Sequence, residues 1–344
     1  MTESTIATVT QSLSTPLPPP SGWLRFRTWA LRTPLIQFIV LIALSAILVA
    51  LVPAFIARPQ AAISVLVLAS LLALAAMGQT LVVILGGLDL AIIGYVTFGA
   101  MIASNATSRL GWPVPIALLV VLLVCGGVGA GVGWLCHRFR VQPLVVTLGV
   151  GVMLAGGSMF LANGDYNGQP PQELKSLAQL SGTTFGLPVP PVIPIVIVLG
   201  VLIWIVLAKT SAGRKLYATG INPRAAELTR INATVVWASV FALSGALAGV
   251  AGMLIAAFGS GWSQSIGEPY LFSGLAAVLV GGTTFGSING SFTRTALGAV
   301  ILTVLSTIIV SQGLTESQSR IVYGLIILGV VALYGRERHV RDRF

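Results

Sequence analysis

The chain is a succession of uncharged apolar runs separated by short polar stretches, without the interleaved charges of an amphipathic soluble fold. The first run, 34–56, is longer than the apolar core of a signal peptide and can cross about 30 Å of hydrocarbon as a retained span. Six more follow at 60–85, 90–107, 114–135, 141–162, 189–208 and 233–258. Beyond Glu268 the pattern is less regular. A short run at 271–280 leads into a small-residue stretch opened by Gly281 and Gly282, and runs at 295–310 and 321–334 close the series. Seven runs plus three predict an all-α polytopic membrane protein of about ten transmembrane helices.

Composition agrees. With 56% hydrophobic and 8% charged residues, the chain falls far below the roughly one-quarter charged content of soluble domains. The net charge of +10 does not point to nucleic acid, because most Lys and Arg sit between apolar runs, where they set orientation. Arg25, Arg27 and Arg32 precede the first run, and Arg336, Arg338, Arg341 and Arg343 follow the last. Both ends are therefore expected on the cytoplasmic side, which requires an even number of crossings. Ten puts His137, Arg138, Arg140, Lys209, Arg214, Lys215, Arg224 and Arg230 inside, and leaves Arg58, Arg109, Lys175 and Arg320 outside. The long polar loop 163–188, with Asp165, Glu173 and Lys175, falls outside as a solvated surface or a contact for an external protein. Three regions result: a Ser/Thr/Pro-rich, then Trp/Arg-bearing tail at 1–33, expected to be disordered or interfacial; a transmembrane domain at 34–334; and a basic tail at 335–344.

Little in the runs supports chemistry. No histidine lies in a span, and Cys125 and Cys136 have no ligand spacing and are read as packing residues. No Gly-Lys pair exists to build a phosphate-binding loop, so energy for any pumping must come from another subunit. No metal, cofactor or catalytic residue is expected in this chain. Asp89 stands apart: it follows the charge-free stretch 59–88 in Gly86-Gly87-Leu88-Asp89-Leu90. It is either a helix-end residue at the membrane surface, or part of a glycine-broken helix whose free backbone groups line a solute path. Gly281, Gly282 and Thr283 offer a similar interruption, and Leu74-Ala75-Ala76 and Leu275-Ala276-Ala277 precede the two glycine pairs, which points to an internal two-fold repeat. The glycines at 126, 127, 129, 131 and 133 read as close-packing positions, and Trp112, Trp134, Trp204 and Trp237 as interfacial anchors.

The polar segment 209–232 is helix-forming: Asn222 is an N-cap type, Pro223 suits the first helical position, and Ala225, Ala226, Glu227 and Leu228 continue the helix. From the residues alone it is either an ordinary basic inner loop or a docking handle.

Several segments together resemble the permease subunits of bacterial ATP-binding-cassette sugar importers of the ribose, xylose and galactose type. Gly86-Gly87-Leu88-Asp89-Leu90 is similar to that family's G-G-[IL]-D-L-S, and Val141-Gln142-Pro143 with Thr147-Leu148-Gly149 to its V-x-P-F-x-x-T-L-G. Gly213-Arg214 through Tyr217-Ala218-Thr219-Gly220-Ile221-Asn222 to Ala225-Ala226 resembles G-R-x-x-Y-A-x-G-x-N-x-x-A-A. Leu243-Ser244-Gly245 through Ala251-Gly252 and Ala276-Ala277-Val278 through Thr283-Thr284 resemble two further segments. Five in order, over about 73–334, are specific. The chain departs at Ala91 for a serine, at Gly94, at Arg230 where a glycine is common, and at Gly286-Ser287 for a second glycine pair.

The resemblance implies a ten-span permease paired with itself or a paralogue. It implies two cytoplasmic ATPase copies that bind ATP and Mg, and an extracytoplasmic sugar-binding protein. Residues 222–232 would then couple to the ATPase, with Arg214, Arg224 and Glu227 as polar contacts, Tyr217 and Leu228 as apolar anchors, and Gly220, Asn222, Ala225 and Ala226 completing the motif. Gly86, Gly87, Asp89, Gly281, Gly282 and Thr283 would lie along the translocation path. A branched-chain amino-acid permease and a secondary carrier or channel without an ATPase stay open as other readings.

Overall fold

A computed structural model describes residues 34–286 and 290–341. The tail expected at 1–33 lies outside them, as does Ser287. Residues 1–36 separate as a unit of which 34–36 are described, the start of the first helix; the rest of the fold belongs to 37–344.

The regular elements among the described residues are helical. In chain order they are α1 (Leu35–Leu51), α2 (Ala54–Ala57), α3 (Pro59–Leu85) and α4 (Ile92–Met101), which runs through a π-helical turn (Ile102–Ala106) into α5 (Thr107–Arg109). Next come α6 (Val114–Phe139), α7 (Pro143–Leu161), α8 (Gln172–Ala178), α9 (Val192–Lys209), α10 (Ser211–Ile221) and α11 (Pro223–Leu228). The last four are α12 (Ala233–Gly259), α13 (Glu268–Val280), α14 (Phe292–Ser311) and α15 (Glu316–Arg341). Prolines open α3, α7 and α11, where a missing N–H costs nothing.

Six of these helices, α3, α6, α7, α9, α12 and α14, are long and apolar enough to cross a membrane, and α1 and α13 are shorter apolar helices. The chain is a multi-pass membrane protein. Helices α3 and α12 are largely buried, whereas α7 and α9 leave most of their apolar surface open, as helices facing lipid should.

Glycine sets how closely the inner helices approach. A Cβ on Gly129 or Gly133 of α6 would overlap the carbonyls of Phe241 or Trp237 on α12, and one on Gly99 of α4 would overlap Gly249. Gly252 stands likewise against Val96, and Gly78 against Ser244. In lipid, where no hydrophobic effect draws helices together, such close approach supplies the attraction. Gly127 and Gly131 have nothing near them, so the close-packing role holds for one face of α6 only. Cys125 and Cys136 are free and buried, as packing residues should be.

At one end of the bundle the loop before α9 folds back. Arg109 pairs with Asp165, Asn105 of the π turn donates to the Asp165 carbonyl at 2.8 Å and accepts from Trp262 Nε1 at 2.9 Å, and Gln179 donates to Ser260 Oγ at 2.9 Å. The loop is thus anchored on the ends of α4 and α12. Helices α10 and α11 occupy the opposite end.

Candidate functional site

The segment between α9 and α12 is shaped by its own caps. Thr210 Oγ1 accepts the Gly213 N–H and starts α10; Asn222 Oδ1 accepts the Ala225 N–H at 3.1 Å and starts α11; Asn232 Oδ1 accepts the Val235 N–H at 3.2 Å and starts α12. Short polar side chains at these three positions are why one polar stretch folds as two short helices. Helix α11 ends with the Ala226 carbonyl accepting the Thr229 and Ile231 N–H groups, and Arg230 holds φ +63°. That is the left-handed position that usually carries glycine, so the departure of Arg230 from the expected glycine is accommodated with backbone strain.

Two kinds of residue meet here. Gly220 packs on the Ile84 carbonyl at the end of α3, Tyr217 donates to the Gly290 carbonyl at 2.7 Å, and Ala226 is buried; these three tie the segment to the bundle. Tyr217 thus points inward, away from the outer surface expected of an anchor. Arg214, Asn222, Arg224, Ala225 and Glu227 are exposed, and Leu228 is 87% exposed. The Glu227 carboxylate lies 3.9 Å from His137 Nε2 at the end of α6.

The glycine pairs mark real interruptions. Gly86 ends α3 at φ +93°, and the Gly87 N–H bonds back to the Val82 carbonyl. Gly282 follows α13 at φ +84°, with Thr283 N–H on the Val278 carbonyl. The structure joins the two regions: the Val83 carbonyl accepts from both Gly86 and Gly286, and Thr80 Oγ1 donates to Thr295 Oγ1 at 2.9 Å.

Asp89 is not at a helix end in solvent. It is 3% exposed inside the bundle, where its carboxylate accepts from Ser244 Oγ at 2.7 Å and from the Ala91 N–H at 3.1 Å, and its carbonyl from Gln79 Nε2 at 3.4 Å. A carboxylate in the apolar interior costs about 2.5–3.5 kcal/mol on insertion scales, and these bonds offset part of that cost. Thr283 is also buried. Of the predicted path residues, Gly87, Asp89, Gly281 and Thr283 are buried, Gly282 is partly buried and Gly86 is exposed.

An open cleft lies nearby. It has a volume of about 620 Å³ and is lined by the apolar Leu90, Ile93, Leu148 and Phe272 and by the polar Gln264, Glu268 and Arg320. Arg320 Nη1 donates to Glu268 Oε2 at 3.2 Å. Sequence reading placed Arg320 on the outer side and gave Glu268 no side. The available signal was Glu268 and Pro269 standing immediately before a short apolar run. Among the described residues no cluster of three or more metal-ligating side chains occurs.

Residues 61–331 match the family described as "Branched-chain amino acid transport system / permease component". The chain belongs to this family. Within it, this permease is 31% identical over 265 residues to the fructose import permease protein FrcC of Rhizobium meliloti, covering 74% of this chain and 72% of that one. It is 29% identical over 295 residues to the ribose import permease protein RbsC of Haemophilus influenzae, covering 86% and 91%. It is also 29% identical over 265 residues to the autoinducer 2 import system permease protein LsrD of Escherichia coli K12, covering 74% and 78%. No solved structure matches the permease.

Proposed function

We propose that this chain is the membrane-crossing subunit of an ATP-driven importer that carries a monosaccharide or related small polyol across the bacterial cytoplasmic (inner) membrane. The observation that carries the coupling is α11, a capped, preformed helix at one end of the bundle that presents Arg224, Glu227 and a Leu228 side chain 87% exposed. A leucine that open, flanked by charges, fits a partner surface, and a rigid helix transmits a partner's movement to α10 and α12 on either side. The partner is an ATPase that binds ATP and Mg; this chain holds no cofactor, catalyses nothing itself and binds no nucleic acid. The names of the relatives support sugar over branched-chain amino acid as cargo, although the family's description names the latter.

Ten helices then make the crossings: α1, α3, α4 continued through the π turn to α5, α6, α7, α9, α12, α13, α14 and α15, with both termini cytoplasmic. The anchored loop 163–191 faces outward as a landing surface for a sugar-binding protein, and a second permease copy or paralogue completes the pathway. Gly86, Gly87, Asp89, Gly281, Gly282 and Thr283 frame that pathway from within. The left-handed glycines after α3 and α13, each preceded by a Leu-Ala-Ala segment, support an internal two-fold repeat.

In a complex reconstituted with ATPase and binding protein, Glu227→Arg with Arg224→Glu should leave insertion intact. It should lower transport-linked ATP hydrolysis about fivefold or more, a coupling of about 1 kcal/mol. Unchanged hydrolysis counts against docking. Labelling of Leu228→Cys from outside intact cells would overturn the orientation, and uptake driven by an ion gradient without the ATPase would favour a secondary carrier.

A further inference from the structure

The Glu268–Arg320 pair is out of place for an ordinary surface ion pair. Gly267, the residue before α13, packs against the Ile93 carbonyl. Ile93 lies between Asp89, bonded to Ser244, and Val96, packed on Gly252. Residues 244 and 252 straddle the midpoint of α12 (Ala233–Gly259). Helix α13 therefore begins level with the middle of α12, not with its end. Its first residue, Glu268, is 48% exposed there and its partner Arg320 38% exposed. Charges open at mid-depth cannot face lipid without heavy cost, so this side of the molecule faces water or protein.

We infer that the cleft bounded by α4, α7, α13 and the start of α15 holds the transported solute, and that Gln264, Glu268, Arg320 and Phe272 select an uncharged polyhydroxylated ring. The inference rests on the sugar-permease function proposed above. The volume, about 620 Å³, falls in the roughly 300–1,000 Å³ range of small-molecule sites. Its lining combines the two kinds of group a sugar needs, apolar surface for its C–H face and polar groups for its hydroxyls. The Glu268 carboxylate accepts hydroxyl protons, the Arg320 guanidinium and the Gln264 amide donate, and the half-exposed Phe272 with Leu148 covers the C–H face. An amino-acid zwitterion fits poorly. It needs an acid and a base set apart for its two charges, and here the two are joined at 3.2 Å.

A second cavity, of about 530 Å³ between α3, α13 and α14, is rich in hydroxyls. However, Ser64, Ser273, Thr303 and Thr307 each donate to a carbonyl of their own helix, which spends the donors a sugar would need.

The test uses the whole complex, permease with ATPase and binding protein, in liposomes, with D-ribose and D-fructose as probes. The double variant Glu268→Gln with Arg320→Gln removes both charges together and so avoids stranding one. It should lower sugar moved per ATP hydrolysed about tenfold, the loss expected for one charge-assisted hydrogen bond. It should also change the ribose-to-fructose ratio, which a merely structural pair would not. Independently, Phe272→Cys should react with a membrane-impermeant maleimide, and the native Cys125 and Cys136 are buried. An unreactive thiol at 272, or an unchanged sugar-to-ATP ratio in an assembled double variant, overturns the cleft as the site. So would Ser273→Ala with Thr303→Val lowering that ratio when the cleft variant does not. If the unaltered complex hydrolyses ATP but moves neither sugar, the proposed function fails and the inference with it. If it moves sugar while both cleft tests fail, the cleft alone is refuted.

Discussion

Removing the Asp89 carboxylate should loosen the break after α3. Its oxygens accept from Ser244 Oγ at 2.7 Å and from the Ala91 N–H at 3.1 Å at a site 3% exposed. Hydrogen bonds between helices in bilayers average about 0.6 kcal/mol and reach about 1.7, because a chain unfolded within the membrane also finds partners. A carboxylate acceptor is stronger than a neutral one, so the Asp89–Ser244 coupling belongs near the top, about 1.5 kcal/mol. Asp89→Ala also strands the Ala91 N–H and leaves a small void, and should cost about 2–3 kcal/mol. Asp89→Asn keeps an acceptor oxygen and relieves the buried charge, and should cost less than about 1 kcal/mol. A double-mutant cycle with Ser244→Ala, read by reversible SDS unfolding in mixed micelles, measures the coupling directly. A coupling below about 0.3 kcal/mol, or an Asp89→Ala chain as stable as the native one, would refute the role of this carboxylate in holding the break.

Two further stability predictions are local. Arg230 holds φ +63° without needing its side chain for the turn, so Arg230→Gly should stabilise the purified chain by about 1 kcal/mol in the same unfolding assay, and no gain would show that the side chain is held by contacts of its own. A Cβ on Gly129 would overlap the Phe241 carbonyl, whereas Gly127 has nothing near it. Gly129→Ala should therefore cost about 1–3 kcal/mol and Gly127→Ala less than about 0.5; equal losses would mean that α6 and α12 do not approach as described.

Much of the cytoplasmic candidate was legible in the chain because its structure is made by neighbours in sequence. Asn222 and Asn232 start helices through bonds spanning three residues, Pro223 supports the first of them through its fixed φ, and Gly86 and Gly282 end helices through their own backbone freedom. Tyr217 was harder to read: its inward bond to Gly290 spans 73 positions of chain and leaves no trace in local pattern. Arg230 was visible as a departure, but its left-handed backbone was not.

What the sequence determined by itself was class and punctuation: apolar runs long enough to span, polar caps between them, and too few charges for any soluble fold. What tertiary structure decided was which side of each run meets protein. In α7, Met153 is 63% exposed and Leu154 9% exposed, yet both are apolar. Lipid and helix interior make the same demand on a side chain, so the hydrophobic period that reveals a buried face in water falls silent here. The same holds for depth. Asp89 and Glu268 each stand beside an apolar run, and only the packing of α3 and α4 against α12, and of α13 against α4, buries one and opens the other into a cleft.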